Sequence, residues 1–492
     1  TYAGATMFET AVAEARAAYP GGCESAIIVG PGDAWVDALS VAGLSATRGP
    51  VLFTWKDSLH PATAQALADL GVKSVIVAGG PAAVSDSVVR ELESRGVSLE
   101  RRLGGPDCYG TQMAVYEYGA SEGLWRPGLA IVATGGHFGD ALSASPVAAA
   151  EAAPIFLARD GALPKAQADA LGALASASRT EVAVAGGPAA VSDATWEQVR
   201  GLASRAGGTS FRLWGPTQYE TSSEVASWAV SRHGFSWDGA AFATGAEPYD
   251  ALAGSVLQGR DRSVLLLVGD YGSSTVGTIG AHKDAVSSVR YFGGEAAVSM
   301  RVRMGVADAL GEPYASIPGF KVYLDAGHGD NDTDNGGYAP GAVANGYTEA
   351  VLTKELATMV RDILVNEYGV DVYLNDDGGW YKLRHAEAEQ VGCDALVSIH
   401  FNAGGGTGSE SLIHSYRASY LSQAWQDQIH PYLIEGVGLA DRGKKQQEVA
   451  IIGGYLPAVL LEVCFIDNAS DMSWYQSHKD YVAHKIAEGI VA

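Results

Sequence analysis

One ten-residue string, Val77-Ala-Gly-Gly-Pro-Ala-Ala-Val-Ser-Asp86, recurs letter for letter from Val184 to Asp193, and a worn copy runs from Phe292 to Ser299. The glycine pairs begin at Gly79, Gly186 and Gly293, 107 residues apart both times. Asp37-Ala-Leu-Ser40, Asp140-Ala-Leu-Ser143 and Asp250-Ala-Leu-Ala253 recur with a similar period. A third marker, Arg102-Leu-Gly-Gly-Pro-Asp-Cys-Tyr-Gly-Thr111, is matched by Arg212 to Thr221 and, clipped at its start, by Tyr2 to Thr10. Three copies of one module therefore account for residues 1–312, expected as 1–101, 102–211 and 212–312. A period this long is that of tandem domains and not of a solenoid.

Within a module, short β-branched runs (Ala26 to Val29, Val51 to Phe53, Ser74 to Val77) alternate with Ala-rich helical stretches such as Pro61 to Leu70. That alternation predicts an α/β module with a small parallel sheet flanked by helices. The glycine pair is expected to form a strand-to-helix turn, with Ser85 or Asp86 capping the helix that follows. Such a turn can also cradle an anion on its backbone N–H groups. Neither a G-x-G-x-x-G string nor a Walker lysine follows, which argues against a nucleotide. The modules show no shared catalytic set: His137 occurs in the second copy alone and reads as a surface residue, and the D-A-L segments fit helix packing as well as ligand contact. Threefold duplication without chemistry points to binding.

At 492 residues the chain exceeds a single core. Its formal charge of −23, with no Lys/Arg run longer than Lys444-Lys445, argues against nucleic acid as a partner. No apolar stretch approaches the roughly 20 residues of a membrane span. The chain opens at Thr1 without Met, which suggests a processed or trimmed start. Four cysteines do not make a disulfide framework, and four free, mostly buried thiols are expected, a Cys23–Cys108 bridge being the alternative.

The repeated markers resemble the type 2 cell-wall-binding repeats of Gram-positive surface proteins, which carry an R-L-x-G-x-x-R-Y-x-T segment, a D-A-L segment and a G-G-x-x-x-V-S segment. The resemblance implies Rossmann/Toprim-like modules that associate as a pseudo-trimer within a monomer and hold the protein non-covalently to an anionic secondary wall polymer. The chain departs from the pattern where Cys108 and Gln218 replace the arginine before tyrosine, and where Glu295 replaces the proline shared by the first two copies.

After residue 312 the pattern changes. Residues 313–319 read as a linker, and residues 320–492 as a helix-flanked sheet with strands at Lys321 to Ala326, Asp371 to Leu374, Leu396 to His400 and Pro457 to Phe465. Helices are expected at Thr348 to Val365 and Leu383 to Val391. In open α/β sheets ligands collect beyond the carboxyl ends of strands, and apolar strands here lead to His328, His400 and Glu462, while Glu349 opens the first helix. His328, Glu349 and His400 form a His₂Glu set, the kind that leaves catalytic zinc one open position. Glu462, inside Leu-Leu-Glu-Val, is costly to bury unless paired or near a metal, and suits the proton carrier. The same donors form the facial triad of non-haem iron oxygenases, but those favour all-β scaffolds. Asp330-Asn-Asp-Thr-Asp-Asn-Gly336 starts like a calcium loop but lacks its later glycine and glutamate, and is expected to be a solvated acidic loop.

Gly327-His-Gly329, Tyr347-Thr-Glu349, Ser398-Ile-His-Phe-Asn402 and Leu461 to Asn468 resemble the type 3 zinc N-acetylmuramoyl-L-alanine amidases. The resemblance implies zinc on His328, Glu349 and His400, Glu462 as catalytic carboxylate, Arg384 as a structural arginine, and peptidoglycan as substrate, cut between N-acetylmuramic acid and L-alanine. Asp441-Arg-Gly443 matches a further family segment, and the acidic stretch 330–338 departs from it. Joined to wall-binding modules, the domain is expected at the cell wall of a Gram-positive bacterium, as a secreted autolysin. An adhesin with a silent amidase domain and a zinc peptidase of the stem peptide are the alternatives.

Overall fold

The structure is a computed structural model that describes the whole chain apart from residues 32–34, 160, 270–272, 333–334 and 420. Its contacts divide it into two compact units, Thr1–Val302 and Arg303–Ala492, with the division inside the helix Met300–Leu310.

The first unit holds three small sheets. Strands β1 (Ser25–Val29), β2 (Val51–Phe53), β3 (Ser74–Ala78) and β4 (Ser98–Leu103) are ordered β2-β1-β3-β4 and run parallel. Strands β5 (Leu129–Thr134), β6 (Ile155–Ala158), β7 (Glu181–Ala185) and β8 (Ser210–Leu213) repeat that order as β6-β5-β7-β8. The third sheet has β9 (Ser236–Thr244), β10 (Ser263–Val268) and β11 (Val289–Phe292), in the order β10-β9-β11. Its missing edge is supplied by the start of the chain, where Tyr2 bridges Phe292 in parallel and donates to the Tyr291 carbonyl at 2.8 Å. The expected boundaries at 101/102 and 211/212 therefore cut through β4 and β8, because each module's opening residues are the last strand of the module before it.

The central strands β1 and β5 are apolar and buried apart from Ser25 and Thr134 at their ends, as parallel sheets covered on both faces require. The three D-A-L helices, Trp35–Val41, Gly139–Glu151 and Tyr249–Asp261, gather at the centre of the unit. Each is packed by the first helix of the next module in cyclic order: Cys108–Ser121, Gln218–His233 and, closing the ring, Met7–Ala18. This is the pseudo-trimer that the repeats imply.

The glycine-pair turns are as expected for a strand-to-helix reversal. Gly79, Gly186 and Gly293 have φ of +102°, +123° and +93°, a region that side chains disfavour. Arg102 ties the first turn by donating to the Gly79 and Val84 carbonyls and to Asp86 at 3.0 Å, and Arg212 does the same for Gly186, Val191 and Asp193. Ser192 caps its helix on the Thr195 amide, whereas Ser85 makes no cap and pairs with Ser87. His137 is exposed and accepts from the Gly139 amide. Cys23, Cys108, Cys393 and Cys464 are free thiols, the first two half-buried and the last two buried. No helix among the described residues is long and apolar enough to cross a membrane.

The second unit has β12 (Lys321–Ala326), a short hairpin of β13 (Val343–Ala344) and β14 (Tyr347–Thr348), β15 (Asp371–Asn375), β16 (Ala395–Asn402), β17 (Ser409–His414), β18 (Asp441–Gln447) and β19 (Ala458–Phe465). The large sheet is ordered β15-β12-β16-β19-β17-β18, parallel except where β17 meets β19. Helices Glu349–Asn366, Leu421–Val437 and Ala469–Val491 pack on it. Residues 313–319, expected as a linker, are packed down. Tyr314 and Phe320 are buried against Trp425, with the Tyr314 and Trp425 rings stacked at 5.4 Å.

Candidate metal centre

The carboxyl ends of β12, β16 and β19 lie side by side. His328 stands two residues beyond β12, His400 lies near the end of β16, and Glu462 is the register partner of His400 on β19. Glu349 is the first residue of the helix Glu349–Asn366, behind the hairpin. One donor atom from each of His328, Glu349 and His400 lies within 4.8 Å of the others. His328 Nε2 is 3.1 Å from Glu349 Oε2, and His400 Nδ1 is 3.1 Å from Glu349 Oε1. The two imidazoles meet edge to face, with centroids 4.9 Å apart.

Local backbone geometry makes the convergence possible. His328 sits at φ +71°, unusual for a side chain and of the kind held by surrounding structure at functional sites. That structure is Arg384, 2% exposed, which donates to the His328 carbonyl at 2.9 Å, the Ala326 carbonyl at 3.0 Å and Asp325 at 2.8 Å. Ser398 donates to the other Asp325 oxygen at 2.6 Å. Arg384 is thus a positioning residue for His328, which gives its expected structural role a definite object. Asp330, Asn331, Asn335 and Gly336 are exposed, as expected of a solvated loop; Asp332 is the exception among the described residues: it is buried, lies 3.2 Å from Arg384 and accepts from the Tyr381 amide at 2.7 Å. Asp334 lies outside the described residues.

Two glycines allow the ligands to close. A Cβ on Gly327 would lie 2.4 Å from the His400 ring, and one on Gly341 would lie 2.5 Å from Glu349 Oε2 and 2.6 Å from His328 Cδ2. The Glu349 carboxylate is aimed by two amides, Ala342 at 2.8 Å and Phe401 at 3.0 Å. Burial works against its charge, but hydrogen bonds to both histidines outweigh burial and hold its pKa well below the carboxylate range.

Glu462 is held differently. Burial raises its pKa to about 7, His400 opposes the rise, and the charges of Glu349 and Glu410 add to it. Its Oε2 is buried with no hydrogen-bond partner among the described residues. A cavity of about 300 Å³ adjoins the histidines, lined by Asp325, His328, Tyr381, Arg384, His400 and Ile451. Two imidazoles and a carboxylate at one point suit a borderline-soft divalent ion such as zinc, and an unpartnered carboxyl oxygen beside them suits a group that takes up a proton. All four residues expected from the sequence lie around this one place. Sequence reasoning missed Gly341, Glu410 and the object of Arg384. None of the three has a signal in sequence beyond residue type, because each acts on a partner from another element.

A family model of N-acetylmuramoyl-L-alanine amidases matches residues 322–492. A model of cell wall binding domain 2 matches residues 1–89, 102–196 and 212–303, together more than half of the chain. The N-acetylmuramoyl-L-alanine amidase LytC of Bacillus subtilis (strain 168) is 27% identical over 502 residues, covering 99% of this chain and 93% of LytC. A sporulation-specific N-acetylmuramoyl-L-alanine amidase of the same organism is 39% identical over 156 residues, 31% of this chain and 58% of that protein. The structure of Cwp6 from Clostridium difficile shares the fold, with a TM-score of 0.55 at 22% identity over 99% of this chain and 78% of Cwp6. The chain belongs to the cell wall binding domain 2 family and, with the catalytic domain that follows its three repeats, is an N-acetylmuramoyl-L-alanine amidase.

Proposed function

We propose that the amidase works with a zinc ion held by His328, Glu349 and His400, with Glu462 as its proton carrier, while the repeats hold it to an anionic polymer at the wall of a Gram-positive cell. The observation that carries the catalytic part is the pairing in register of His400 with Glu462, whose Oε2 is buried and unpartnered one strand from the donor set. Bound there, zinc would supply a Lewis acid for the lactyl carbonyl and a water whose pKa falls to about 7.

The chain's own residues do the rest. Glu349, ionised and fixed by the Ala342 and Phe401 amides, balances part of the ion's charge and orients both imidazoles. Arg384 fixes His328 through its carbonyl. Glu462 Oε2 has no hydrogen-bond partner among the described residues, so it can take the water's proton, and its pKa near neutrality lets it return a proton to the departing nitrogen of L-alanine. The anchored chain then works on an insoluble substrate as an extracellular monomer at high local concentration.

Metal content measured together with the products of digesting purified peptidoglycan tests this. Stoichiometric zinc and intact stem peptides with a new N-terminal alanine are expected. Zinc with cleavage inside the stem would make the enzyme a peptidase, and neither metal nor products would favour a wall protein with a silent domain. Glu462→Gln should keep the metal and lose about 10²–10⁴ in turnover, whereas His400→Ala should lose the metal. Normal turnover by Glu462→Gln would remove the role given to it.

A further inference from the structure

Three neighbouring strands carry a row of ionisable side chains across the catalytic edge of the sheet. His400 on β16 is the register partner of Glu462 on β19, and Glu462 in turn is that of Glu410 on β17, so the three share one face. Because β17 runs against β19, it begins where β19 ends. The edge strand β18 runs parallel to β17 and begins beside it, with Ser409 opposite Asp441. Arg442 therefore stands at the same edge as the metal ligands, beyond Glu462.

Its guanidinium is held but not used up. Nε donates to Glu410 Oε2 at 2.7 Å, and the group lies over the Phe465 ring at 4.8 Å. Phe465 is itself the register partner of Asn402, which donates to the other Glu410 oxygen at 3.1 Å. Lys445 donates to Glu410 Oε2 at 2.7 Å, so two cations share one buried carboxylate. No described residue bonds Nη1 or Nη2 of Arg442, and a third of its side chain is exposed. An arginine fixed through Nε and stacked on a ring offers a preset pair of donors to a carboxylate.

The reaction gives this fork a direction. Glu462 returns its proton to the departing nitrogen, so the leaving peptide lies on the Glu462 side of the metal ligands, towards β17 and β18. We propose that Arg442 is a specificity-determining residue that receives a free carboxylate of the leaving stem peptide through its two Nη atoms. The inference rests on Glu462 as proton carrier.

The test uses the full-length zinc-loaded chain and two soluble muropeptide preparations, one with free stem-peptide carboxylates and one with those carboxylates converted to amides. The wild type should show a KM about tenfold to a hundredfold lower for the free form, the range of hydrogen bonds to charged groups. Arg442→Gln should lose that preference with kcat within a few-fold of normal on both substrates, and Arg442→Lys should restore part of it. Lys445→Gln also unbalances Glu410 and should keep the preference. Equal KM values for the wild type on both substrates would overturn the assignment. So would a loss of kcat by Arg442→Gln on both substrates that Lys445→Gln reproduces, since that marks a structural prop for Glu410. Normal turnover by Glu462→Gln, a separate result, would instead remove the reading beneath it.

Discussion

Glu14 and Gly341 show how single residues can carry consequences that the sequence does not display. Glu14 lies four residues after Thr10, and the corresponding positions after Thr111 and Thr221 hold Val115 and Val225. All three side chains are buried, but Glu14 has no exposed surface and no described partner for either oxygen. Burial raises its pKa well above the carboxylate range, and repulsion from Asp250 adds to the rise. A raised carboxyl pKa means that the folded state holds a proton the unfolded chain releases, so the cost of Glu14 grows as pH rises above about 4. Glu14→Val should therefore stabilise the chain by about 1–3 kcal/mol at pH 8 and by less at pH 5. Calorimetry at the two pH values checks this, and an equal gain at both would show that charge is not the cause. Gly341, at φ +66° against Glu349 and His328, gives the second prediction. Gly341→Ala should keep the fold and weaken metal binding, by the 10- to 100-fold typical of disturbed ligand support; zinc affinity by competition with a chelator reads it directly. The ligands themselves were legible because histidine and glutamate at strand ends are conspicuous. Gly341 was not, since only its nearness to two ligands from other elements requires it.

At the scale of elements, the first two aspartates of the D-A-L helices join one module to the next. Burial raises the pKa of Asp37 to about 6, and a hydrogen bond from Thr111 of the following module partly offsets the rise. Asp140 is raised by burial and partnered in the same way by Thr221, and Asp250 is raised to about 6 by burial. Each folded-state pKa lies above the unfolded value, so these groups favour the fold most below about pH 4, and for Asp37 and Asp250 that contribution is lost as pH rises through 6. Asp37→Asn keeps an acceptor for Thr111 and removes the titration. It should flatten the dependence of unfolding temperature on pH between 4 and 7 and add about 1–2 kcal/mol near pH 7.5; an unchanged slope would place the titration elsewhere. The D-A-L period was plain in the sequence, but its use was not, because the partner threonine belongs to another repeat. Strands followed the same division. The central β12, β16 and β19 were legible as apolar runs, whereas β18, Asp-Arg-Gly-Lys-Lys-Gln-Gln, has none. It lies at the edge of the sheet, where lysines and polar residues blunt further pairing and no buried face imposes alternation.

For the whole molecule, duplication explains why the binding half was so readable and where it was not. A repeat announces itself by self-similarity, but the closure of the ring by Tyr2 on Phe292 joins residues at opposite ends of three modules, and nothing local in either signals it. The charge of −23, which is that of the whole chain, bears on the hold on an anionic polymer proposed for the repeats. A net negative chain is repelled by such a polymer at long range, so short-range contacts would have to hold it, and salt should relieve repulsion before it weakens them. Binding of the intact chain to purified walls should hold or rise as ionic strength goes from about 0.01 to 0.15 M, the reverse of a cation-exchange interaction. The repeats and the catalytic unit then divide the work. A chain of residues 303–492 should match the full chain in kcat on soluble muropeptides, because His328, Glu349, His400 and Glu462 all lie within that unit. On insoluble walls at low enzyme concentration it should be slower by up to about 10²–10⁴, the gain that tethering brings without any new contact at the active site. Equal rates on walls for the two forms would show that the repeats do not concentrate the enzyme, while a matching loss on soluble substrate would show instead that they support the fold of the catalytic unit.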